Sequence, residues 1–128
     1  MSSTAQTYRA HSLQNATGPE LVVACFREAR AQLLCARRHL EEGTTASSYG
    51  PLEKVRKIYT HLYSTLDLKA GGELAARMQS LYVYVIQGTL ELSSTCDLAS
   101  LALLEQINHD MLSAWSQISA RQTPPPSK

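Results

Sequence analysis

LYVYVI, residues Leu81 to Ile86, is six apolar or aromatic residues in a row. Taken alone it has the β-branched and aromatic content of a strand, and a run this short does not separate a strand from a buried helical segment. The neighbours decide. ELAARMQ, residues 73–79, is built of strong helix formers, and Leu74, Met78, Leu81, Tyr82, Val85 and Thr89 then share one face at helical spacing. The run is therefore read as helix, with Leu81, Tyr82 and Val85 turned to a core. At about 100° per residue, Val83 and Tyr84 point well away from that face and Ile86 lies at its edge. This helix carries more apolar surface than one core uses.

Outward from it, the punctuation divides the chain cleanly. NATGPEL (15–21) offers Thr17 as a cap and Pro19 at a helix start, EEGTTASSYGP (41–51) reads as a turn-rich loop, LKAGGE (68–73) stops and restarts a helix at its glycines, and SSTCD (93–97) offers caps again. Between these marks Val22, Phe26, Ala29, Leu33, Ala36 and Leu40 make one amphipathic stripe, and Leu52, Val55, Tyr59, Leu62 and Leu66 a second. Leu101, Leu104, Ile107, Met111, Trp115 and Ile118 make a third, with Gln106, His109, Asp110 and Gln117 off it.

Four such segments with short connections predict an all-α protein, an antiparallel up-and-down four-helix bundle. The expected organisation is a short N-terminal arm or cap over 1–18, the bundle over 19–120, and a disordered tail over 121–128 that contains TPPPSK. Apolar residues beyond the stripes are the candidate partner-binding positions. They are Val83, Tyr84 and Ile86, Val23 and Leu34 on one side of the first helix, and Ile58 and Tyr63 flanking the second stripe; as a contiguous patch they would mark an interaction site.

The chain has 128 residues, enough for one domain with a modest core, and a formal net charge of +1. That balance lacks the electrostatic footprint of a nucleic-acid or anionic-membrane binder. Its richest basic cluster, Arg27, Arg30, Arg37 and Arg38, is broken by Glu28 and followed by Glu41 and Glu42, as on a solvated helix face. Three cysteines cannot all pair. Cys25 and Cys35 lie about 15 Å apart along one helix, beyond disulfide reach, and read as buried thiols, while Cys96 has no partner at metal spacing. MSSTAQT at the start has neither a basic nor an apolar signal region, and nowhere do 18 apolar residues run together. A cytosolic protein with no membrane insertion is expected.

Nothing in the chain suggests catalysis. A Gly-rich phosphate loop, GxSxG, HExxH and the Glu-x-x-His of di-iron bundles are all missing. Glu105 and His109 are four apart rather than three and read as a surface pair, and His11, His39 and His61 are isolated. No catalytic, cofactor-binding or metal-binding residue is expected, and no cofactor.

STLDLKAGGELAARMQSLYVYVI, followed by the AWSQI of residues 114–118, resembles the flagellar secretion chaperone family of FliS type. That family shows Leu-Asp, then Gly-Gly-Glu-Ile/Leu-Ala, then Leu-Tyr-Asp-Tyr-Met, and ends near Ala-Trp. YRAHSLQNATGPEL (8–21) looks like its N-terminal stretch, so the similarity runs from about Tyr8 to Ile118. This chain departs where Val83 stands for the acidic residue between the tyrosines and where Gln87-Gly88 replaces a basic pair.

The resemblance implies a cytosolic chaperone that binds the disordered C-terminal segment of flagellin in inter-helix grooves, prevents early polymerisation and delivers it to the export apparatus. It also implies that the segment before the first helix, with Tyr8 and Leu13, can lie over part of the binding surface and be displaced. An ordinary arm packed on the core is the other reading of those two residues. The alternative function is a diverged adaptor or co-chaperone that binds another helical partner or forms a homodimer through the same surface.

Overall fold

In the computed structural model, which describes residues 18–122, the chain forms four helices: α1 (Gly18–Glu41), α2 (Thr45–Ser64), α3 (Leu68–Thr95) and α4 (Leu98–Gln122). LYVYVI lies inside α3 and is helical throughout. The described residues contain no strand. Thr17 as a cap, the arm residues Tyr8 and Leu13, and the tail from residue 123 lie outside the described residues.

Local chemistry sets the ends. α1 stops in a Schellman turn: Gly43 takes φ +81°, its N–H donates to the Leu40 carbonyl at 3.3 Å, and the Thr44 N–H donates to the His39 carbonyl at 2.8 Å. Asp67 caps α3, its carboxylate accepting the Ala70 N–H at 3.0 Å, and Asp97 does the same for α4 by accepting from the Ala99 N–H at 3.1 Å and the Ser100 hydroxyl at 2.8 Å. The glycine pair breaks α3 one turn in, because Gly72 sits at φ 56°, ψ −132°, outside helical space. The stop and restart read from AGGE is present.

One connection differs from expectation. EEGTTASSYGP is a loop only over residues 42–44, and α2 already runs from Thr45 with Pro51 inside it. Proline removes the bond to the Ser47 carbonyl, but Ser48 and Leu52 on either side are fully buried, so tertiary packing holds as helix a stretch whose local composition favours turns.

The helices form an open ring. α1 packs on α2 and α4, α2 packs on α3, and α3 meets α4 at far fewer places, while the diagonal pairs meet only through long side chains at the centre, Phe26 with Tyr82 and Tyr59 with Asn108. Phe26, Tyr59 and Tyr82 meet at the centre, Phe26–Tyr59 at 5.8 Å and Tyr59–Tyr82 at 5.6 Å between centroids, both edge-to-face. Leu33, Leu52, Val85, Leu92, Leu101 and Leu104 fill the layers around them. The stripes of α1 and α2 are buried or packed against this core as their spacing predicts.

The stripe of α3 needs correction. Tyr82 and Val85 are buried, but Leu81 is 39 % exposed and Leu74 66 % exposed. Both lie on the side of α3 that would face α4, and the seam there is open. Val23 is corrected in the opposite sense: at 6 % exposed it belongs to the core, because the stripe of α1 is wide enough to cover α4 as well as α2. Cys25 and Cys35 are half-buried rather than fully buried.

Candidate protein-binding site

The N-terminus of α1, the C-terminus of α2, the N-terminus of α3 and the C-terminal part of α4 come together at one end of the bundle, as antiparallel order requires. There they surround an open cavity of about 690 Å³. Its walls are apolar: Leu21 and Val22 from α1, Leu62 with Leu66 just beyond α2, Leu74, Met78 and Tyr82 from α3, and Trp115 from α4. His61, Thr65 and Asp67 contribute polar atoms to it. The cavity exists because Gly72 turns the single helical turn Leu68–Gly71 aside, and because Ala75 at the next turn is too small to fill the space.

The glycines have separate duties. A Cβ on Gly71 would lie 2.5 Å from that of Ala75, so Gly71 lets the turn fold back closely, whereas Gly72 supplies the positive φ. Further along α3, a Cβ on Gly88 would come within 2.9 Å of Leu104, so the absence of a side chain at Gly88 lets α4 approach closely there. A small hollow beside that crossing is lined by Tyr84, Gln87, Glu91 and Ser100.

The polar interior is structural. Asn108, 1 % exposed, accepts a hydrogen bond from the Tyr59 hydroxyl at 2.6 Å and donates to the Phe26 carbonyl at 3.0 Å, tying α4 to α2 and α1. Arg37 of α1 grips Glu105 of α4 with Nε at 3.0 Å and Nη2 at 2.7 Å, and also reaches Glu41. These carboxylate partners raise the Arg37 pKa further, and the guanidinium is charged at every accessible pH. Burial, with a smaller effect of Tyr82, raises the Tyr59 phenol far above its ordinary range; burial, then the neighbouring Cys25, pushes Tyr82 up to about 12. Burial likewise raises the Cys25 thiol, which is the opposite of what a reactive thiolate needs. Among the described residues no three His, Cys, Asp or Glu side chains are grouped to hold a metal.

Seven of the positions singled out from sequence can be placed. Leu34, Tyr63 and Tyr84 are exposed, Val83 is half-buried, Ile58 and Ile86 are half-buried against the core, and Val23 is within it. None of the seven lines the large cavity. Tyr84 lines the small hollow at the α3–α4 crossing, and Val23 the floor of a shallow one beside Arg27 and Ser116. Leu66, Leu74, Met78 and Trp115 stand in stripes that spacing assigns to the core, and Leu21 falls outside them. The signal that could have found the site was Gly71-Gly72 beside helix-end leucines: a backbone break there leaves the adjoining stripe without a partner.

A four-helix bundle with an apolar cavity open at one end has the form of a site in which a partner's apolar segment can be buried. The comparisons name its kind. The family model for flagellar protein FliS matches residues 1–122, and the chain belongs to that family. It is 29 % identical over 111 residues to the flagellar secretion chaperone FliS of Salmonella typhimurium, a match covering 86 % of this chain and 82 % of that protein. The resemblance read from the glycine pair, the tyrosines and Ala114-Trp115 holds, and the chain is a FliS-type chaperone.

Proposed function

We propose that the chain is a cytosolic export chaperone that takes up the disordered C-terminal segment of flagellin, keeps it from polymerising and delivers it to the flagellar export apparatus. The observation that carries this reading is the apolar cavity at the bundle end in a member of the FliS family. An amphipathic segment that folds as it docks would bury its apolar side chains against Leu74, Met78 and Trp115 and leave its polar face to water. Leu74, two-thirds exposed, is a residue whose burial by a client would be favourable by roughly 1 to 2 kcal/mol. Gly18 and Pro19, at the start of the described residues, line the cavity, which supports the reading that an arm over 1–18 with Tyr8 and Leu13 would serve as its displaceable cap. No helix among the described residues is long and apolar enough to cross a membrane, which is consistent with work in the cytosol.

Calorimetric titration with a peptide of the C-terminal segment of flagellin from the same organism tests it. Ordering such a segment costs at least about 2 to 5 kcal/mol, and burial of its apolar face should still leave micromolar or tighter affinity with a negative heat-capacity change. A folded chain that shows no binding at high micromolar peptide overturns the proposal.

A second reading has its own observation. Leu34, Leu90 and Leu103 are about half exposed and lie outside the large cavity, so a second hydrophobic contact, either a homodimer or a helical adaptor partner, would use surface away from the client site. Light scattering across a concentration series separates the two: a concentration-dependent dimer that survives addition of the flagellin peptide favours the second surface.

A further inference from the structure

We propose that α3 is the moving element of this bundle, swinging on α2 to open its seam with α4 while α1, α2 and α4 stay fixed to one another. The inference deepens the chaperone reading, on which it rests only for its use: the seam sets how wide the client site can become.

Directional contacts are distributed unevenly. Asn108 hydrogen-bonds to both Tyr59 and the Phe26 carbonyl, and Arg37 holds Glu105 through two nitrogens, so α1, α2 and α4 are joined by bonds that fix both distance and angle. To α3 the described residues show two long links, both from α2: Arg56 at 3.4 Å from the Thr89 hydroxyl, which already donates to its own helix at Ile86 at 2.7 Å, and Thr45 at 3.8 Å from the thiol of the capping Cys96. The rest of its attachment is apolar packing, chiefly on α2, where Tyr82 meets Tyr59 edge to face and so anchors α3 to α2 rather than to α4.

Its seam with α4 is thin. The two helices interlock where Gly88 receives Leu104, and on the cavity side of that crossing Leu81 and Leu74 stay exposed instead of meeting α4. Both ends of α3 carry backbone able to turn: Gly72 at φ 56° at one end and Cys96, the one non-glycine with positive φ among the described residues, at the other. A rigid helix held by apolar contacts, jointed at each end and lightly joined along one side has the features of a cooperative unit that opens below the global unfolding free energy.

Hydrogen exchange of the full chain without client, read by mass spectrometry at peptide resolution, tests this directly. Amides of residues 82–92 in α3 should exchange at least about tenfold faster than those of residues 26–33 in α1 and 101–108 in α4. Equal protection in all three stretches overturns the proposal. Gly88→Ala provides the second measurement, since its methyl group must press on Leu104, itself 2 % exposed, and wedge the seam. Acceleration confined to α3 supports the proposal; acceleration spread evenly over the four helices, or none in α3, overturns it. Both experiments omit flagellin, so failure of the client to bind would leave their outcome untouched.

Discussion

Asn108 is the residue on which the interior polarity of the bundle turns. Removing its side chain as Asn108→Leu strands the buried Tyr59 hydroxyl, and the expected loss is about 1 to 3 kcal/mol in urea denaturation. Tyr59→Phe strands the amide oxygen instead and should cost a similar amount. The double variant should lose less than the sum of the two, because removing both partners leaves nothing unsatisfied between them, and strict additivity would show that the 2.6 Å bond contributes little. Tyr59 and Tyr82 also set the alkaline limit. Their phenols are raised in the fold above the unfolded value of about 10, so the unfolded chain loses those protons first; the stability they contribute is intact below pH 10 and falls as pH rises through the folded values. With two such groups stability should fall with rising pH between 10 and about 12, by on the order of 1 to 2 kcal/mol per pH unit in denaturation at a series of pH values, and a flat profile would mean that both phenols ionise freely in the folded state.

At the scale of the element, α3 shows where local sequence and tertiary packing divide the work. Its helical state is legible in ELAARMQ and in the spacing of Tyr82, Val85 and Thr89, and all three are buried. Leu81 and Leu74 share that spacing and are exposed, since periodicity identifies a face but not whether a neighbour arrives to cover it. Whether α4 arrives depends on the crossing at Gly88, a long-range contact invisible to any window of sequence. The break at Gly72 is a sequence signal with a structural consequence. Gly72→Ala places a side chain at φ 56°, ψ −132° and should lower stability by about 1 to 3 kcal/mol, whereas Gly50→Ala, within α2 and with open space around it, should leave stability unchanged or raise it slightly. Equal effects of the two substitutions would mean that the break relaxes at no cost.

For the molecule as a whole, the separation between what holds the bundle and what lines its cavity makes stability and binding separable. Leu74 is two-thirds exposed at the cavity wall, so Leu74→Glu should change the unfolding free energy by no more than about 0.5 kcal/mol. The same substitution should weaken flagellin-peptide binding at least about tenfold by calorimetry, because it places a carboxylate where the client's apolar face would dock. Unchanged affinity would move the client away from this end of the bundle. Leu34, exposed on the opposite flank of α1 and outside the cavity, serves as the control: Leu34→Glu should leave peptide affinity unaltered.

The sequence by itself determined four helices, their order and most of their buried faces, because helix propensity, capping and a period of 3.6 are local properties that a window of residues expresses. It also carried the family, through the glycine pair, the paired tyrosines and Ala114-Trp115. Tertiary structure alone decided that α2 begins before Pro51, that Val23 is core and Leu81 is not, and that the cavity lies among Leu21, Leu66, Leu74, Met78 and Trp115 rather than along the flanks of the stripes. The reason is that an apolar residue's role depends on what arrives opposite it. That is fixed by the closeness of distant helices at a few positions such as Gly88 with Leu104 and Asn108 with Tyr59, and no local pattern encodes those distances.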